Sequence, residues 1–179
     1  SLHNFDIKQY QNIHQCALTS IKSPPPIISQ PLIHESGNIH RYHNYNRWKD
    51  LSYLKNILLT ETPFIEQQAP FLDALFFEWF LRSIIIPAQS SIRATESAWG
   101  VDCVWCTAAY YFAKDVLGYN MKQSIGCAIV NNGSPVYHLD GKTIETKKKN
   151  EDAFFAKGMI ALEYYKQLYP HWFMCGYDT

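Results

Sequence analysis

Two residues in the second half of the chain have the types and spacing of a nucleophile and its base. Cys103 opens a predicted helix, and His138 lies on a predicted strand that follows it. The free amides and the positive end of the dipole at a helix start stabilise a thiolate, and the same amides can hold an oxyanion during acyl transfer. A histidine completes such a pair by taking the thiol proton. The pattern predicts Cys103 as nucleophile and His138 as base.

A third polar group should orient the imidazole, and three acidic residues are candidates. Glu145 lies on the next predicted strand, one diagonal step from His138 if Asp140 and Gly141 form a two-residue turn. Asp140 is explained by that turn. Asp152 follows at a greater distance, and a tight hairpin would carry it far from His138. The strand geometry favours Glu145 as the residue that orients His138, and Asp140 and Asp152 remain alternative candidates.

The elements that must position these residues follow from hydrophobic periodicity. Helical spacing predicts helices over 1–22, 47–59, 71–86, 103–117 and 151–168. Between the last two of these helices the hydrophobic pattern changes to one typical of strands, and it predicts strands over 124–130, 135–139 and 142–147. We therefore expect an α+β fold in which the cysteine-bearing helix packs on a small antiparallel sheet.

The length of 179 residues predicts a single domain over 1–179. Within it, residues 1–46 are expected to be an N-terminal helix and a proline-rich loop that wraps the surface, and 47–179 the catalytic-like body. The net charge is zero, so no nucleic-acid partner is indicated. The most apolar stretch is too short and too charged to span a membrane.

The five cysteines are an odd number, which argues against a disulfide framework and favours a reducing, cytoplasmic-type environment. Cysteine is among the most buried residue types, and Cys127, in an apolar strand, is therefore expected to be an inert buried thiol. No cofactor is called for. A zinc site is not predicted either, because the close pair Cys103 and Cys106 has no second close pair to complete it.

The run Gly100-Val101-Asp102-Cys103, with a helix that closes at Leu117-Gly118, resembles the core of transglutaminase-like proteins. In those proteins a cysteine opens such a helix and the second of three following strands carries the catalytic histidine. The resemblance implies thioester chemistry on protein side-chain amides, by Cys103 and His138, leading to crosslinking or deamidation. Small domains of this type resemble bacterial effectors. This implies a host protein as substrate and secretion into the host cytosol.

Three other interpretations stay open. Papain-like enzymes also carry two cysteines at this spacing with the second one catalytic, so Cys106 could be the nucleophile of a cysteine protease. Cys103-Val104-Trp105-Cys106 is also a C-x-x-C motif, which would suit a thiol–disulfide oxidoreductase. Finally, the aromatic share of 15% would suit a non-catalytic interaction module with an aromatic partner surface.

Overall fold

A computed structural model of the chain describes residues 5–21, 25–35, 58–65, 69–95, 100–120, 126–130, 136–138 and 151–168. Its helices are α1 (Ile7–Ile21), α2 (Ala74–Phe80), α3 (Gln89–Thr95), α4 (Asp102–Tyr111) and α5 (Glu151–Leu168). Two π-helical turns, Leu81–Ile85 and Phe112–Val116, continue α2 and α4. The strands are β1 (Ile28–Pro31), β2 (Ile33–Glu35), β3 (Leu59–Glu61), β4 (Phe71–Leu72), β5 (Cys127–Val130) and β6 (Val136–His138).

The main sheet has four strands in the order β3-β5-β1-β4. The two central strands, β1 and β5, run parallel, with Ile28 opposite Cys127 at one end and Pro31 opposite Val130 at the other. The edge strands β3 and β4 are antiparallel to their neighbours. A separate two-stranded ladder pairs β2 with β6 in parallel. The α+β class is confirmed, but the prediction of an antiparallel sheet is wrong because this sheet is mixed.

The predicted wrapping loop is wrong for residues 28–35. β1 is an interior strand of the main sheet, and all four of its residues are buried. Its Ser29 and Gln30 are buried polar residues, and the tyrosine hydroxyl of Tyr10 on α1 donates a 2.7 Å hydrogen bond to Ser29 Oγ. The N-terminal segment therefore contributes to the core. Hydrophobic periodicity does not predict this strand, because it contains polar side chains and follows several prolines.

The predicted helices over 1–22, 103–117 and 151–168 are confirmed by α1, α4 with its π turn, and α5. Gly118, at φ +68°, ends the cysteine-bearing helix as predicted. The predicted helix over 71–86 begins later, because Phe71 and Leu72 pair with β1 and Asp73 then caps α2. Of the predicted helix over 47–59, only residues 58 and 59 are described, and Leu59 begins β3. The predicted strand over 142–147 lies outside the described residues.

The core lies between the main sheet, α2 and α4. Phe76 of α2 is fully buried and meets the ring of Phe112 edge-on, at a centroid distance of 5.5 Å. On α4, the indole N–H of Trp105 donates a 2.8 Å hydrogen bond to the carbonyl oxygen of Ile65. These contacts fix the orientation of α4, the helix that carries the predicted nucleophile.

Candidate functional site

The start of α4 is a tight turn whose first amides already have acceptors. Gly100 has φ +96°, a left-handed conformation that favours glycine. The N–H of Cys103 donates to the carbonyl of Gly100 at 3.1 Å, and the N–H of Val104 donates to Val101 at 3.3 Å. In this conformation these two amides are engaged with the backbone. They would have to leave those bonds to stabilise a thiolate or an oxyanion.

Cys103 itself is buried, with 2% of its surface exposed, and it is disulfide-bonded. Cys103 Sγ is 3.8 Å from Oδ1 of Asp102. A disulfide sulfur carries no proton, so this contact is not a hydrogen bond. In this oxidised form Cys103 is not a nucleophile, since nucleophilic attack requires the thiolate.

A second disulfide joins Cys106 of α4 to Cys127 of β5, with an S–S distance of 2.10 Å and a Cα–Cα distance of 5.4 Å. The expectation of no disulfide framework, and of Cys127 as an inert thiol, is therefore wrong. An odd number of cysteines does not exclude disulfides, because five cysteines can form two bonds and leave one unpaired. Cys106 is bonded to Cys127 and not to Cys103, so the C-x-x-C pair is not itself a disulfide.

His138 lies at the end of β6, which pairs with β2 in a ladder separate from the four-stranded sheet to which Cys127 belongs. The expectation that the strands following α4 form one antiparallel sheet is therefore wrong. The β2–β6 ladder instead places Glu35 as the register partner of His138. Neighbouring strands lie about 4.8 Å apart, so the two backbones are adjacent at this position. The side chains of Glu35 and His138 lie outside the described part of the structure.

Glu35 is an acidic neighbour of His138 that sequence reasoning missed, because its strand was assigned to a loop. The apolar residues Ile27, Ile28, Leu32 and Ile33 around the polar pair Ser29-Gln30 were the signal that could have revealed it. The predicted third residue, Glu145, and its alternative Asp140 lie outside the described residues. Asp152 lies in the first turn of α5.

A cavity of about 360 Å³ opens between α4, β3 and the start of β5. We call it the α4 cavity. It is lined by Glu61, Thr62, Pro63, Cys106, Thr107, Tyr110, Gly126 and Cys127. The Cys106–Cys127 disulfide forms part of its wall, whereas Cys103 is not among the lining residues.

Gly126 lets β5 begin directly against α4 at the edge of this cavity. A Cβ atom at this position would lie 3.2 Å from the carbonyl oxygen of Cys106 and 3.2 Å from the amide nitrogen of Tyr110. Both neighbours are backbone atoms that cannot rotate away. The absence of a side chain at Gly126 therefore permits the close approach of helix and strand on which the disulfide depends.

Within the described ranges, no group of three or more His, Cys, Asp or Glu side chains could hold a metal ion. None of the described helices is long and apolar enough to cross a membrane. No protein-family model matches the chain, and comparisons with curated proteins and with solved structures give no significant match. The resemblance to transglutaminase-like proteins thus stays a prediction from the sequence.

Proposed function

We propose that the domain, in the oxidised form described above, binds a small organic amine in the α4 cavity. The observation that carries the proposal is the charge of the cavity wall. Glu61 supplies one carboxylate, and the described lining residues include no Lys, Arg or His to neutralise it. A cavity with an uncompensated carboxylate favours a cationic ligand.

The other polar groups of the wall suit an ammonium ion, which has three donors and no acceptor. The Glu61 carboxylate would accept a charge-assisted hydrogen bond. Thr107 offers a hydroxyl, and the ring of Tyr110 offers a surface for a cation or for the apolar part of the ligand. The hydroxyl of Thr62 is already engaged with the backbone of Phe64. A volume of about 360 Å³ lies within the usual range for small-molecule sites.

The state of the cysteines also supports a binding function. Cys103 and Cys106 are both disulfide-bonded, so neither offers a thiolate in this form. Disulfides persist in oxidising compartments. The domain would therefore bind its ligand under oxidising conditions, whereas the predicted reducing cytosol would suit a reduced enzyme with free thiols.

Benzylamine should bind to the oxidised protein more tightly than benzyl alcohol, which has a similar size and no charge. Glu61→Gln should weaken benzylamine binding about threefold to tenfold and leave the alcohol unaffected, because it removes the charge and keeps the shape. Calorimetric titration at low salt measures both affinities.

Glu78→Gln is the matched control, since Glu78 is an exposed carboxylate on α2, paired with Arg82 at 2.9 Å. This control should bind benzylamine as the wild type does. Equal affinities for amine and alcohol, or an unchanged affinity in Glu61→Gln, would contradict the proposal.

A second candidate is cysteine-dependent acyl transfer, as predicted from the sequence, in a reduced form of the protein. The observation that favours it is the register of Glu35 with His138, which makes Glu35 a further candidate for the acid that orients the imidazole. An external dithiol would reduce the disulfide of Cys103 and become oxidised itself. The thiolate would then attack a carboxamide carbon, ammonia would leave with a proton from His138, and water or an amine would cleave the thioester.

Ammonia release from a glutamine-containing peptide tests this candidate directly. The dithiol-reduced wild type should release ammonia, and the oxidised protein should not. In reduced protein, Cys103→Ala should abolish the release and Cys106→Ala should retain it. A loss confined to Cys106→Ala would make Cys106 the nucleophile, as in the papain-like interpretation. No release from the reduced wild type contradicts acyl transfer altogether.

A further inference from the structure

α1 is held against the main sheet by aromatic contacts and a hydrogen bond. The ring of Tyr10 stacks on that of Phe71 in β4 at a centroid distance of 4.4 Å, and the ring of Phe5 lies 5.8 Å from that of Phe71. Tyr10 is buried, and its hydroxyl donates a hydrogen bond to Ser29 Oγ of β1. All of these contacts are noncovalent. An element held in this way can open locally at a lower free energy than the unfolding of the whole domain.

His14 lies beside these contacts, one turn after Tyr10 on α1. Its Nε2 is sealed from solvent and makes no hydrogen bond within the described structure. A neutral imidazole fits this place with its proton on Nδ1, because Nε2 then needs no acceptor. An imidazolium also carries a proton on Nε2, and in the docked helix this N–H would meet neither water nor an acceptor. The ring of Tyr10 is 6.3 Å away, beyond the range of about 6 Å for a cation–π contact. The docked form of α1 therefore favours the neutral ring.

The charged and titratable neighbours of His14 in the described structure do not offset this preference. A small cavity between α1 and the β1–β4 edge is lined by His14 and by the titratable residues Tyr10, Asp73 and Tyr119. Asp73 supplies the one carboxylate of this set, and its Oδ1 already accepts the N–H of Phe76 at 3.0 Å. The two phenols carry no charge in mild acid, and the residues one turn before and after His14 on α1 are uncharged. Burial is the cause of the lowered pKa of His14, and the Asp73 carboxylate does not raise it.

We propose that His14 makes the docking of α1 sensitive to pH, so that mild acid releases this helix from the β1–β4 edge of the sheet. In released α1 the imidazole is solvated and has the ordinary pKa of 6.5. Burial lowers that pKa in the docked helix, so below pH 6.5 the released form binds more protons and gains population. The gain is at most about tenfold per pH unit, and it ends where the docked form is protonated as well. Well above pH 6.5 both forms are neutral and docking has its full strength. Release would uncover Tyr10 and Phe71, and it is independent of the amine site at α4.

Hydrogen exchange of the α1 amides measures the release, because an undocked helix of this length is marginal in water and loses its protection. Two-dimensional ¹H–¹⁵N NMR gives the exchange rates, which are divided by the intrinsic rates of an unstructured peptide at the same pH. Between about pH 7.5 and about pH 5.5 the opening equilibrium of α1 should rise about threefold to tenfold, while that of α5 should stay within about twofold. Ordinary carboxyl groups remain largely ionised over this range. An unchanged opening of α1, or an equal rise in α5, would overturn the proposal.

Two variants separate the role of His14 from that of the other histidines. His14→Phe keeps an aromatic ring that cannot be protonated, so the opening of α1 should differ by less than about twofold between the two pH values. Ser29→Ala removes the hydrogen bond that anchors Tyr10, and it should raise the opening about threefold to tenfold at the higher pH. A pH dependence that persists in His14→Phe, or an opening that is unchanged in Ser29→Ala, would contradict the proposal. If His14→Phe does not fold, NMR titration of the His14 ring in the wild type decides. A midpoint at or above 6.5 overturns the proposal, and a lower midpoint supports it.

Discussion

Replacing Cys106 and Cys127 together by alanine should lower the free energy of unfolding by about 3 kcal/mol. The bond closes a segment with a sequence separation of 21, and a cross-link of that span removes about this much chain entropy from the unfolded state. Both sulfurs are buried, so the loss of packing around them adds to the effect. Urea denaturation monitored by tryptophan fluorescence measures the change. The double variant is preferable to either single one, which would leave a buried thiol able to mispair.

Cys16→Ala is the control for this experiment, because Cys16 lies exposed on α1, outside the Cys106–Cys127 bond. Its stability should stay within about 0.5 kcal/mol of the wild type, as is usual for surface substitutions. A double variant as stable as Cys16→Ala would show that the bond does not hold α4 to β5 in solution. The support for an oxidised binding domain would fail with it.

Phe76→Ala should lower the free energy of unfolding by about 3–5 kcal/mol, the range seen when a buried phenylalanine is truncated. The Phe76 side chain is completely buried and lies between α2 and the π turn that continues α4. Its ring is 5.4 Å from that of Phe80 and 5.5 Å from that of Phe112. Truncation removes these contacts and leaves a cavity that the surrounding rings cannot fill. The shift of the urea midpoint, at unchanged slope, gives the loss.

The adjacent Phe77 offers a matched control on the same helix. It is 48% exposed, so Phe77→Ala should cost less than about 1 kcal/mol. The two substitutions have the same chemistry and the same effect on helix propensity. A similar loss of stability in both variants would mean that α2 does not bury the face that carries Phe76.

Long periodic segments could be predicted from the sequence, and short strands could not. α1, α4 and α5 are long helical segments of about two to five turns, and Gly118 marks the end of the helical segment begun by α4. β1 has only four residues, two of which are polar and one a proline, so no alternation is visible. Its burial results from its central place between β5 and β4, which is a property of the whole sheet.

The candidate site was predictable only in part, for a related reason. The position of Cys103 near the start of a helix follows from local sequence and is confirmed. The pairing of Cys106 with Cys127 depends on how α4 packs on β5, and the neighbourhood of Glu35 and His138 depends on a parallel ladder. Both involve residues distant in sequence, and no local pattern specifies such contacts. The carboxylate of Glu61 reaches the α4 cavity by the same kind of long-range packing.

The parallel pairing of the central strands β1 and β5 affects how the chain folds during its synthesis. β1 can form its parallel ladder only when β5 is available, roughly one hundred residues later in the chain. At ordinary rates of translation that interval lasts about 5–20 s, during which the edge of β1 that pairs with β5 has no partner. Folding of this domain is therefore expected to be slow, because its central ladder cannot form before β5 has been made. Its nascent N-terminal segment would be a natural client for chaperones.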